Sequence, residues 1–467
     1  MRHPIPILNA SLAILLALGG VAVIGAERPA LIDAARNADP AAVSRLLKQG
    51  VNVKAEEGDG TTALHWASYR DDLESADLLI RAGAKVNAAN DLGATPLWTA
   101  SVNGSTAMVR RLLQAGADAN LALLAGETPL MVASRSGNPE VVDQLLAKGA
   151  SVNIAATRGQ TALMWAVAQK HPSVVKLLLA HGADVQARSK VWSQVMAVSP
   201  HGMLEYNRDI PHGGDTALIF AARVGDLESA KLLVAAGAKV ADADAWGVSA
   251  TAMAAHAGFA DLVEFLLDKG ADANASGAGF TALHAAIMHR DEQMVRALLA
   301  HGADPNVPVR SWTPTRRSSK DWNFNPELVG ATPFWLAARA THPVVMRLLA
   351  ERGADPLVVH HVKYDAGDPV EKRTQTTTSL MAATGMGGGG PWAQVNRSER
   401  EALTLEAVKV AADLGVDLNV ANDDGRTALD AAQALKYESV VKFLVEKGAK
   451  AGTGNSKSRP AGPPLIR

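Results

Sequence analysis

Two kinds of residue in this chain carry chemistry that could act on a ligand. One is the run Gly385-Met386-Gly387-Gly388-Gly389-Gly390, whose bare backbone amides would suit a phosphate. A phosphate loop also needs a Lys-Ser/Thr pair after its glycines and a strand before them. Neither is present, so the run reads as a flexible turn. Gly454-Asn455-Ser456-Lys457-Ser458 fails in the same way. The other is histidine, with His201, His212, His360 and His361 falling between helical segments. Imidazoles hold a metal when their spacing lets them converge. No such spacing occurs here, and solvated loop histidines are expected. The chain has no cysteine, which removes thiolate nucleophiles, thiolate metal sites and disulfides. No Gly-x-Ser-x-Gly elbow and no paired-carboxylate arrangement stands out. No catalytic residue, metal or cofactor is predicted.

Bulk properties narrow the partners. The formal net charge is −1 over 467 residues, so no overall field draws nucleic acid or an acidic membrane. The absence of cysteine suits an exported protein that must avoid stray oxidation. Aromatic residues are few, yet the nine Trp outnumber the seven Phe and four Tyr.

The elements that position these residues are set by one stretch, Gly126 to Arg158. Thr128-Pro129 starts a short helix, a capping hydroxyl followed by a ring whose missing N–H costs nothing at the first helical position. Ser136-Gly137-Asn138-Pro139 breaks it, and Val141, Val142, Leu145 and Leu146 mark a second helix by their helical spacing. Gly149 ends that helix, and Ala150 to Arg158 reads as an extended finger. Two short helices and a finger cannot bury their apolar sides alone, so the unit must stack on copies of itself.

The copies are present. A leading glycine and a helix-ending glycine recur 23 positions apart at Gly60/Gly83, Gly93/Gly116, Gly126/Gly149, Gly159/Gly182, Gly214/Gly237, Gly247/Gly270, Gly279/Gly302, Gly330/Gly353 and Gly425/Gly448. Thr62-Ala63-Leu64-His65, Thr95-Pro96-Leu97-Trp98, Thr128-Pro129-Leu130-Met131 and Thr281-Ala282-Leu283-His284 are each answered by an ending such as Leu298-Leu299-Ala300-His301-Gly302-Ala303-Asp304. By these motifs the chain resembles the ankyrin-repeat family, from about residue 28 to 450. The resemblance implies an all-α repeat solenoid of helix-turn-helix units with β-hairpin fingers, about eleven of them including two caps and one broken unit. It also gives His65 and His284 a structural role, hydrogen bonding across repeats.

Outside the repeats, Arg2 and His3, the uncharged run Ile7 to Ile24 and then Gly25-Ala26-Glu27 have the layout of a secretory signal. Residues 1–26 are expected to be cleaved, leaving a periplasmic or secreted protein. The alternative is an uncleaved N-terminal anchor. Residues 27–451 form the solenoid, and the Gly-, Pro- and Ser-rich 452–467 is expected to be disordered. Period failures place insertions at about 188–213, 309–329, 360–375 and 385–397.

The first three insertions enter at the finger, so stacking sets them along one edge. They carry Trp192, Tyr206, Trp312, Arg316, Arg317, Trp322 and Phe324, and the fourth adds Trp392. Loops of this length are uncommon unless functional or disordered, and disordered segments are poor in aromatics. Partner binding is weighed against packing on adjacent helices, since Trp, Tyr and Arg are enriched among interface anchors. Trp66, Trp98, Trp165 and Trp335 sit inside first helices and read as core. A second column follows each first helix: Tyr69, Arg70, Asn103, Arg135, Gln169, Arg223, His256, His289 and Arg339. In proteins the chain resembles, those positions line a concave groove. The column leans basic, which implies a protein partner with an acidic surface or else a merely solvated face. The expected function is a non-catalytic, monomeric interaction scaffold of the cell envelope, with no nucleic-acid partner and no membrane contact beyond the export signal. The alternatives are a self-associating structural protein, or an enzyme or small-ligand-binding protein with its site among Trp192, His201, His212, Trp312, Arg316 and Trp322.

Overall fold

A computed structural model describes residues 28–197, 207–313, 324–366, 371–387 and 395–454. Within them, short helices follow one another in pairs. The pairs are α1 (Ala30–Arg36) with α2 (Pro40–Lys48), α3 (Ala63–Arg70) with α4 (Leu73–Arg81), α5 (Pro96–Asn103) with α6 (Thr106–Gln114), and α7 (Pro129–Ser136) with α8 (Pro139–Ala147). Then come α9 (Ala162–Ala168) with α10 (Pro172–Ala180), α11 (Ala217–Val224) with α12 (Leu227–Ala235), α13 (Ala250–Ala257) with α14 (Ala260–Asp268), and α15 (Ala282–His289) with α16 (Glu292–Ala300). Last are α17 (Pro333–Arg339) with α18 (Pro343–Glu351), α19 (Ser379–Ala383) with α20 (Arg397–Asp413), and α21 (Ala428–Leu435) with α22 (Glu438–Glu446). The chain divides into two compact bodies, one up to Leu124 with Ala147–Ala150, the other Ala125–Leu146 with everything from Ser151. Inside each body first helices pack on first helices and second on second.

Local chemistry fixes both helix starts. The Thr of the repeating motif caps the first helix: Thr95 Oγ1 accepts from Trp98 N at 3.1 Å and Thr128 Oγ1 from Met131 N at 3.3 Å. Aspartates cap second helices, as Asp39 does for Ala42 N (2.8 Å), Asp72 for Ser75 N (3.0 Å) and Asp291 for Met294 N (2.9 Å). Each satisfies an otherwise orphaned donor of the first turn. His65 and His284 complete reciprocal boxes with Thr62 and Thr281, and their Nε2 atoms reach the Ala94 and Val307 carbonyls at 2.8 Å. His65 thus plays the cross-repeat role the motif implies, whereas His284 reaches the finger of its own unit.

Fingers join through backbone. Leu124 N donates to Leu92 O (2.9 Å) in the first body, and Lys190 N to Arg158 O (2.8 Å) and Ala245 N to Gly213 O (2.9 Å) in the second. This approach is why the leading residue is glycine. A Cβ on Gly93, which has φ +83°, would stand 2.9 Å from Ala122 O. An amide ladder adds a second tie. Asn87, Asn120, Asn153, Asn274 and Asn306 each donate from Nδ2 to the carbonyl of the next helix-ending glycine, Gly116, Gly149, Gly182, Gly302 and Gly353, at 2.9–3.1 Å.

The insertions have structure of their own. Strands β1 (Trp192–Ala197) and β2 (Asn207–His212) form an antiparallel hairpin with Trp192 opposite His212. The ends of the second insertion meet at Thr313 and Phe324, with Thr313 N donating to Phe324 O at 2.9 Å, and a 3₁₀ turn follows at Pro326–Leu328. Strands β3 (His360–Ala366) and β4 (Glu371–Thr377) make a second hairpin, on whose β3 the 3₁₀ turn packs. Two expectations are corrected. The second helix of the broken unit starts at Arg397, already within the insertion expected to run to 397, because Asn396 caps it by accepting from Glu399 N at 2.9 Å. His360 is not a solvated loop histidine: it begins a strand and is 1 % exposed. Residues 452–454 continue the last finger, with Gly454 N donating to Gly425 O at 3.0 Å. The signal layout of residues 1–26 and the tail from 455 lie outside the described residues.

Candidate functional site

The column after the first helices is largely occupied by contacts between repeats. Arg70 Nε donates to Arg36 O at 2.8 Å, and Asn103 Nδ2 to Tyr69 O at 2.8 Å and Ser68 O at 3.3 Å. His289 Nε2 does the same for His256 O. These side chains close the carbonyl ends of the preceding first helices. Tyr69 stands edge-on to Trp66, with ring centroids 5.9 Å apart. Arg223 pairs with Asp215 at 2.7 Å, and Arg135 lies 4.0 Å from Glu127 and over Trp165. Gln169 and His256 are half-buried. Arg339 is 5 % exposed, and burial, only partly offset by the nearby Glu327 carboxylate, lowers it to about 10. It is inside the protein rather than on a groove wall.

The inserted edge is more open. Val191, just before β1, and Trp192 and Val195 on it are 60, 43 and 62 % exposed, while Ile210 of β2 is buried. Trp192 stacks on His212, with centroids 4.6 Å apart and planes at 24°, and Arg158 sits 5.9 Å from the Trp192 ring. Trp312 is half-buried. Phe324 is fully buried, 5.0 Å from the Phe280 ring centroid and 6.1 Å from that of His284, so it anchors its loop on the repeats. His201, Tyr206, Arg316, Arg317, Trp322 and Trp392 lie outside the described residues.

A third place was not foreseen. One face of the β3–β4 hairpin carries His360, Val362 and Tyr364, paired with Thr377, Gln375 and Arg373. The 360/377 end of that face is buried, and the His360 ring lies 4.4 Å from Trp335 on α17. His360 Nε2 is 3.0 Å from Val329 O. A carbonyl only accepts, so Nε2 carries the proton and Nδ1 presents a lone pair. Burial holds this imidazole below its ordinary pKa, against the Val329 bond. At the outer end, burial raises Glu327 despite Arg339 and Arg373, and raises Tyr364 with help from Glu327. The period-2 pattern of both strands was a signal for this face. Its burial depends on α17 and the 3₁₀ turn, which sequence spacing does not bring together. Among the described residues no cluster of three or more His, Cys, Asp or Glu could hold a metal.

The family model for ankyrin repeats (3 copies) matches residues 31–123, 116–189 and 218–309, and that for a single ankyrin repeat matches 329–361, together more than half of the chain. This chain belongs to the ankyrin-repeat family. Ankyrin repeats generally mediate protein–protein interaction. An ankyrin repeat and KH domain-containing protein of Caenorhabditis briggsae is 28 % identical over 54 % of this chain and 9 % of its own length. The E3 ubiquitin-protein ligase KEG of Arabidopsis thaliana is 30 % identical over 55 % of this chain and 16 % of its own length. The chain thus spans a small part of these relatives. The crystal structure of the human ASB11 ankyrin repeat domain aligns at 29 % identity and TM-score 0.43, over 52 % of this chain and 98 % of that one. No described helix of this ankyrin-repeat chain is long and apolar enough to cross a membrane.

Proposed function

We propose that this protein is an exported, non-catalytic scaffold of the cell envelope that captures a protein partner along its finger edge. The observation that carries the reading is the exposed strip Val191 and Val195 on one face, with the half-open Trp192 at the base of the other, on a hairpin whose base is tied to both neighbouring fingers. Aromatic and β-branched side chains fixed on a rigid support lose little ordering entropy on binding. Arg158 and Lys190 beside the strip favour a partner surface bearing carboxylates. The groove is the lesser candidate, because Arg70, Asn103, Arg223 and His289 are engaged within the protein. Export rests on the signal layout of residues 1–26.

The test is capture from envelope extract by the mature chain and by its Val191→Ser/Val195→Ser variant, followed by binary binding with the purified partner. Loss of at least tenfold in affinity in the variant, with melting unchanged, supports the edge. Equal binding by the variant rejects it. Fractionation with N-terminal sequencing tests export, and a cytoplasmic chain retaining Met1 would rule that part out.

A further inference from the structure

The finger tips of the first body form an exposed surface of a different kind from the strip at Val191–Val195. Backbone bonds set their order. Asp91 N donates to Asp59 O at 2.8 Å and Leu124 N to Leu92 O at 2.9 Å, so the tips run Asp59, then Asp91 with Leu92, then Leu124. Asp59 and Asp91 are exposed, and Leu92 and Leu124 are 44 and 79 % exposed. Leu124 ends the run Leu121-Ala122-Leu123-Leu124, which has no polar side chain, where the first finger carries Glu56-Glu57-Gly58-Asp59. The ladder does not call for leucine there, since Asp91 N and Thr157 N make the same bond to the preceding finger. Aliphatic side chains that the fold does not use, on consecutive tips, are left for a contact with another molecule.

Charge says which kind. Glu57 is engaged by Arg28, and Glu56 lies 3.4 Å from Lys85. Asp59 Oδ1 accepts from Thr61 N at 2.9 Å. Among the described residues neither Asp59 nor Asp91 enters an ion pair. Two such carboxylates repel nucleic acid and an anionic membrane surface. In a symmetric contact between two copies each patch would meet its own charge. A cationic protein segment gains from both carboxylates and covers both leucines.

We infer that the finger tips of the first body, Asp59 to Leu124, dock a protein segment with Lys or Arg toward one end and aliphatic side chains toward the other. The juxtaposition that carries it is a pair of carboxylates outside any ion pair, on the tips that lead into two exposed leucines. Neighbouring repeats lie about 10 Å apart and an extended chain advances about 3.3 Å per residue, so about three partner residues span each step. This surface asks for the opposite charge to the strip beside Arg158 and Lys190, and it stands whether or not that strip binds protein.

The test is calorimetric titration of the full mature chain with the synthetic peptide Lys-Lys-Ser-Lys-Leu-Ser-Leu-Leu, at about 50 mM and about 300 mM salt. Its controls are an isomer with lysines and leucines alternating, and an analogue with Glu for every Lys. The surface predicts saturable binding of the ordered peptide that weakens with salt, at least fivefold weaker binding of the isomer, and none of the analogue. Asp59→Asn/Asp91→Asn keeps an oxygen for Thr61 N, and it should weaken the peptide at least tenfold and abolish most of the salt dependence. Leu92→Ser/Leu124→Ser should weaken it at least tenfold with the salt dependence kept. All four side chains are exposed, so melting should be unchanged in both variants. Val191→Ser/Val195→Ser should bind the peptide as wild type does. No saturable binding, equal affinity in either folded tip variant, or equal binding of the Glu analogue overturns the inference. So does loss of the peptide in Val191→Ser/Val195→Ser alone, which would seat it on the strip instead.

Discussion

At the residue scale, the buried histidines couple stability to pH. Burial lowers His284 to about 4, against an ordinary 6.5, and lowers His65 in the same direction. Below 6.5 the unfolded chain binds a proton that the folded chain refuses. The His284 contribution is therefore complete above pH 6.5 and is lost as pH falls toward 4, in total about 3 kcal/mol. Urea unfolding should show wild type losing about 2 kcal/mol more than His284→Gln between pH 7 and pH 5. Backbone conformation supplies a second residue-level prediction. Thr341, β-branched, holds φ +48° after α17, where α5, α7, α11 and α13 are each followed by glycine. Thr341→Gly should stabilise by about 1 kcal/mol in denaturant melts, since glycine takes that conformation without Cβ strain.

At the element scale, the repeats were legible because each rests on local constraints. A capping Thr, a Pro at the first helical position and a positive-φ glycine carry their meaning within a few residues. The aspartate caps of α2, α4 and α16 were equally local and were passed over. What could not be read was how insertions meet repeats. Phe324 has the type of an interface anchor, yet it fills a gap beside Phe280 and His284. Arg339 falls in the groove column but is drawn inside, next to Glu327. Both outcomes depend on loops packing across units, which no periodicity encodes. The β1–β2 hairpin gives the element-level prediction. Replacing Val195–Asp209 by Asn-Gly keeps the Gln194–Ile210 pair and closes it with a favoured two-residue turn. Loop length contributes only about 0.6 kcal/mol per doubling, so circular dichroism and melting should be nearly unchanged while partner capture is lost.

At the scale of the whole molecule, near-neutral charge and an exposed apolar edge pose the question of self-association. The edge is short, and a symmetric contact through it would bring two copies of Arg158 and of Lys190 into one interface, so like charges oppose pairing. Light scattering of the mature chain should give a concentration-independent monomer mass. A mass that rises with concentration and falls in Val191→Ser/Val195→Ser would mean that the strip meets itself. The fold class was readable because a single spacing recurs along most of the chain. The buried face of β3–β4 was not, because it is assembled from α17, the 3₁₀ turn, the hairpin and Gly387, each uninformative alone.

The side-chain amides that tie each finger to the next helix-ending glycine are interrupted where Lys54, Ala241 and Leu357 stand in the asparagine's place, none of which has an amide to offer. Those three joints lack a fastening that Asn87, Asn120, Asn153, Gln186, Asn274 and Asn306 supply. Under load or mild denaturant the repeats should therefore part first there, and hydrogen exchange should mark the backbone just after Gly83, Gly270 and Gly415 ahead of the corresponding positions after Gly182, Gly302 and Gly353.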